Sequence, residues 1–221
     1  MAFGRPDQVA THRYGRVLAA TAIVVVAVIA LPDDEFGRGV SLVLQALLLT
    51  MVTIAARDAT SRVLTAIALA ATAFGAISAV GGHVPIWTVL GLSSALIAAM
   101  IYTLASGLVE HVRSAGVTVQ AVAGGLATYL LVGLAFADLI GAVAGAAAGP
   151  FFAQGTDGTS GERVYYSFVS LTTTGFGDLT PRTEVGRALA VLEVLMGQIY
   201  LVVVVALLVG NLRRRDDPAR R

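Results

Sequence analysis

Apolar residues fall in long runs along this chain, divided by short polar breaks. Six runs stand out: Tyr14–Leu31, Val40–Ala56, Val63–Val80, Ile86–Val109, Val117–Ile140 (on to Gly149 if its Gly/Ala tail is counted) and Val185–Leu212. A helix needs roughly 20 mostly apolar residues to cross the hydrocarbon core, and each run is about that long. The pattern predicts an all-α membrane protein with six transmembrane helices. Between the fifth and sixth runs the pattern changes. "GPFFAQGTDGTSGER" reads as a loop outside the membrane. "VYYSFVSLTT", Val164 to Thr173, is apolar but about half the spanning length, the mark of a re-entrant segment. Thr159 and Glu162 have capping-box spacing and predict a helix starting there. About ten polar, Gly-rich residues follow before Thr183-Glu184 opens the last helix.

Composition agrees with lipid as the solvent: 57% of residues are hydrophobic and 13% charged, about half the charge of an ordinary soluble domain. With no cysteine, disulfides, thiolate chemistry and Cys-based metal sites are excluded. All fifteen basic residues are arginine, and eleven fall on one side of the six runs: Arg5, Arg13, Arg16, Arg57, Arg62, Arg113, Arg213, Arg214, Arg215, Arg220 and Arg221. Arg38, Arg163, Arg182, Arg187 and the acidic turn Asp33-Asp34-Glu35 fall on the other. The positive-inside rule then places both termini in the cytoplasm of a multi-pass cell-membrane protein. The first run, with Val28-Ile29-Ala30 near its end, also resembles a signal peptide, but its removal leaves an odd number of crossings and upsets the charge pattern. No metal-ligand cluster, nucleotide loop or nucleophile–base pair is legible, so an enzyme is not expected.

Irregular backbone at membrane depth survives only where protein buries it or a water-filled space adjoins it. "TTTGFGD", Thr172 to Asp178, therefore reads as pore-lining. Gly175 and Gly177 permit backbone angles that turn successive carbonyls one way. The C-terminal end of the short helix favours a cation there. This stretch resembles the selectivity-filter signature of potassium channels, Thr-Val/Ile-Gly-Tyr/Phe-Gly-Asp, in five of six positions from Thr173 to Asp178. The resemblance extends roughly from Val117 to Gly210, with flanking helices similar to the outer and inner pore helices of a prokaryotic branch. It implies that the carbonyls of Thr173, Thr174, Gly175 and Phe176, with the Thr173 hydroxyl, coordinate potassium. Thr172, Gly177 and Asp178 would support them. Three departures alter the support: Thr174 stands for Val or Ile, Tyr165-Tyr166 for a Trp pair, and Val169 where some relatives carry a Glu that pairs with the filter Asp.

Other residues raise separate questions. Glu193 lies about nine residues, roughly 14 Å, into the last helix. An ionisable group so deep is a functional hypothesis: it supports the filter through hydroxyls such as Ser170 or Thr172, or it titrates. Gly197 is a hinge glycine or a packing glycine, and Gln198 faces the cavity or a neighbouring helix. Asp138 reaches the headgroups if its helix ends soon after it. Gly141, Gly145 and Gly149 have the four-residue spacing of close helix packing. Trp87, beside Pro85, reads as an interfacial anchor, and His83 as a loop residue. The third and fourth runs hold no Arg or Lys, so sensing of voltage by an arginine-bearing helix is not expected. With few residues after the last run, a cytoplasmic ligand-binding domain is not expected.

The expected organisation is a four-helix region, residues 1–113, and a pore domain, residues 114–221. Four copies would surround one axis as a homotetramer among membrane lipids. Potassium is the permeant ion, with no cofactor and no nucleic-acid partner. A weakly selective monovalent cation channel, a subunit of an ion transporter and a non-conducting regulatory membrane protein are the alternatives.

Overall fold

The computed structural model describes residues 13–32, 35–56, 66, 73 and 86–215. Most of the predicted third helix, Val63–Val80, lies outside the described residues, as do Arg5, Asp33, Asp34, Arg57, Arg62, His83, Pro85, Arg220 and Arg221. The chain is all α. Its described helices are α1 (Arg13–Ala30), α2 (Glu35–Ala56), α3 (Ile86–Ala115), α4 (Val119–Ala146), a short α5 (Ser160–Leu171) and α6 (Glu184–Arg215). Three are long and apolar enough to cross a membrane, over Trp87–Arg113, Val119–Ala146 and Glu184–Val204; Tyr14–Ala30 and Val43–Val52 are shorter apolar stretches.

α4 is the hub, packing against α1, α3, α5 and α6. On α1, Val17, Thr21, Val24 and Val28 are buried, spaced four, three and four residues apart and so on one face of a helix. On α3 the buried stripe is Val89, Ser93, Ile97, Met100 and Leu104. Both stripes meet Ala127, Leu131, Leu134 and Ala137 of α4, with Leu48, Leu49 and Val52 of α2 and Val164 of α5 joining them. α1 is thus built into the core and also packs on α5.

Small residues on α4 bring its neighbours close. A Cβ at Gly145 would lie 2.9 Å from the Trp87 Cβ, and one at Gly141 would lie 2.7 Å from Leu90. These two glycines seat α3 as the four-residue spacing predicts. Gly149 does not join them: α4 ends at Ala146, and Gly149 is exposed beyond it.

Asp138 departs from expectation. α4 continues eight residues past it, about 12 Å, so Asp138 is not a headgroup residue. Its Oδ2 accepts from Gln45 Nε2 of α2 at 3.3 Å and pairs with the Ser93 hydroxyl of α3, which also meets Gln45 Oε1. These three side chains and Arg163 of α5 line a cavity of about 40 Å³. Polar groups in an apolar bundle gather because each one left alone forfeits its hydrogen bonds. Replacing Asp138 with Ala strands Ser93 and Gln45, which should cost ~1–3 kcal/mol. The check is thermal unfolding of detergent-solubilised protein: a clear drop in Tm is expected, and an unchanged Tm would return Asp138 to the headgroups.

Candidate functional site

α5 begins where the capping box places it. Thr159 Oγ1 accepts from Glu162 N at 3.1 Å, and Glu162 Oε2 accepts from Thr159 N at 2.7 Å. Twelve residues make a helix about 18 Å long, too short to cross the core. The loop before it, residues 147–159, does more than connect. Phe151 and Phe152 are buried, and Phe152 meets Tyr166 edge-on at 5.1 Å. Ala153 N donates to the Thr180 carbonyl, and Arg182 N to the Phe151 carbonyl, each at 2.8 Å. This antiparallel bridge clamps the chain that leaves the polar stretch.

The polar stretch starts as α5 ends. Positive φ alternates along it: Thr173 at 59°, Gly175 at 58° and Gly177 at 80°, with Thr174 and Phe176 in the ordinary negative range. Alternation of this kind turns successive N–H groups to one side, and hence the carbonyls to the other. The N–H groups of residues 173–175 point back at α5. Thr173 N donates to the Ser170 carbonyl at 2.8 Å, while Thr174 N and Gly175 N donate to the Val169 carbonyl at 2.9 and 3.3 Å. Among the described residues, no hydrogen bond is made to the carbonyls of Thr173, Thr174, Gly175 or Phe176. Residues 172–178 are all exposed.

Hydroxyls hold the stretch from behind. Thr172 Oγ1 donates to the Phe168 carbonyl at 2.7 Å and lies 2.8 Å from Thr174 Oγ1. Its own proton is committed, so Thr174 donates to it. The hydroxyl that sets this sequence apart from Val or Ile thus fastens Thr174 to the end of α5. At the outer end, Tyr165 donates to Asp178 Oδ2 at 2.7 Å, and that carboxylate pushes the phenol's pKa up. Phe176 stacks on the Tyr165 ring, 6.4 Å between centroids and 3° from parallel. Tyr165 therefore supplies the outer support, where a Trp pair or a Glu at position 169 is absent.

Glu193 of α6 is fully buried and reaches Ser167, not Ser170 or Thr172. Its Oε1 pairs with the Ser167 hydroxyl, which also contacts the Gly133 carbonyl of α4 at 2.7 Å. One serine in the middle of α5 thus joins three helices. Ser167 carried no signal of its own, because serine is ordinary in a sequence and only a partner at depth makes it notable. Tyr129 adds a further contact, donating to the Leu171 carbonyl at 3.2 Å.

Gly197 is buried, and α6 runs unbroken through it. A Cβ there would run into the Leu171 carbonyl and lie 3.0 Å from the Leu171 side chain. Close packing alone accounts for this glycine. Gly197→Ala should destabilise the protein by ~1–3 kcal/mol through overpacking, read as a lowered Tm in detergent. An unchanged Tm with altered channel opening would instead favour a hinge.

Residues 124–214 match a family model described as ion channel, and no curated protein and no solved structure matches the chain. The match begins within α4 and takes in α5, the polar stretch and α6 almost to its end. It supports an ion channel pore built from these elements.

Proposed function

We propose that this chain is the pore subunit of a passive potassium-selective channel, in which four copies surround one conduction axis. One observation carries the reading. Backbone N–H groups of residues 173–175 are spent on α5, while the carbonyls of Thr173, Thr174, Gly175 and Phe176 are left without donors. Rings of such carbonyls, with the Thr173 hydroxyl, replace the water around a dehydrated cation, and repulsion between neighbouring ions drives release. Gly177, Asp178, Thr172 and Glu193 hold the ring in shape. The negative end of α5 adds to the attraction. Residues 114–221 form the pore domain and residues 1–113 the helical surround, in a cell membrane with both termini cytoplasmic.

Two features support several copies acting together. A single chain supplies one carbonyl strand, and a ring needs more. In α6 only 11% of the spanning window is buried, against 56% in α4, which leaves α6 apolar surface for other copies and lipid. A weakly selective cation channel is the second reading, favoured by Thr174 and the altered support. The Thr174 hydroxyl weighs less for it than the sequence implies, since it is turned to Thr172.

Rubidium uptake into potassium-loaded proteoliposomes tests the proposal. Wild-type protein should drive uptake that external sodium does not compete away. Gly175→Ala should lower uptake about tenfold or more, since an L-residue in the left-handed region costs ~1–2 kcal/mol in each copy. Equal uptake by variant and wild type, or equal competition by sodium, would contradict it.

A further inference from the structure

Among the described residues, Thr173 is the one residue other than glycine with a positive φ. A β-branched side chain is strained there and persists only where its surroundings hold it. Two of its restraints are local: its N–H donates to Ser170, and its hydroxyl donates to the Thr172 carbonyl at 2.6 Å. The third comes from another helix. Gln198 Nε2 of α6 donates to the Thr173 hydroxyl oxygen at 3.3 Å. The neighbouring Gly197 seats α6 against the Leu171 carbonyl, so two successive residues of α6 meet the end of α5 and the start of the polar stretch.

A hydroxyl oxygen has two lone pairs. Gln198 takes one, the Thr173 proton is committed to Thr172, and one lone pair remains to face a cation. We propose that Gln198 is a positioning residue that latches Thr173 in its strained conformation and so sets the affinity of the innermost cation site. The inference rests on the proposed function and extends it: the inner helix and the ion site become one unit. Displacement of α6 breaks the amide contact, frees Thr173 to relax to negative φ, and turns its hydroxyl and carbonyl out of the ion's reach. Tight cation binding at that site therefore requires α6 in its present place.

The test is a double-mutant cycle on barium binding, read by isothermal titration of the purified full-length protein in sodium buffer. Barium is a divalent cation of nearly potassium's size, and the readout needs no current. Gln198→Met keeps the side-chain length and removes the donor. It should weaken barium binding about tenfold or more, since each of the four copies loses a neutral hydrogen bond. On a Thr173→Val background the same change should weaken it no further. Should Gln198→Met not assemble, Gln198→Asn keeps the amide but falls one methylene short, and the same loss is expected. Wild-type affinity in the Gln198 variant, or losses that simply add in the double variant, would overturn the latch. A wild-type protein that binds potassium no more tightly than sodium would instead contradict the proposed function, and the barium cycle would still be readable.

Discussion

Backbone that is neither helix nor sheet cannot lie at membrane depth with its polar groups unpaired. Residues 172–178 meet that constraint on one side only. The N–H groups of residues 172–175 and the threonine hydroxyls are paired with Phe168, Val169, Ser170 and each other, while four successive carbonyls keep their lone pairs free. A structure that pairs every group would be inert, and one that pairs none would not hold. Everything around the stretch serves this half-paired state.

α5 must end at one place and in one direction, and its position is fixed at several points. The capping box fixes its start, the Phe151–Arg182 bridge fixes the chain beyond the stretch, and Ser167 ties its middle to both α4 and α6. Gly133 contributes by absence: a Cβ there would meet the Phe168 ring at 2.7 Å. The N-terminal helices reach the same unit. α1 packs on α5, and the Gln45–Ser93–Asp138 group shares its cavity with Arg163 in the first turn of α5. The described helices α1, α2 and α3 are thus part of the mounting of the short helix.

Much of this was legible in the sequence, because the signals involved are local. Run length placed the described long helices, Thr159 and Glu162 placed the start of α5, and Gly175 and Gly177 marked two of the three positive-φ positions of the stretch. The third, Thr173, was hidden, since a threonine gives no notice of a left-handed backbone that tertiary contacts impose. Depth made Glu193 conspicuous, but spacing along a helix does not reveal which neighbour a side chain faces, and its partner proved to be Ser167. The place of Asp138 is hidden for a related reason: the Gly/Ala tail after it gives no clear end to α4, and its partners lie 93 and 45 residues away. The direction Gln198 faces is set by a partner on another element, Thr173, which spacing along the helix does not reveal.

The most direct measurement is the reversal potential of the full-length protein in planar bilayers, with potassium on one side and sodium on the other. Carbonyls held as described should favour the ion that sheds its water more readily, and the current should reverse near the potassium equilibrium value. A clear current reversing near zero would contradict potassium selectivity.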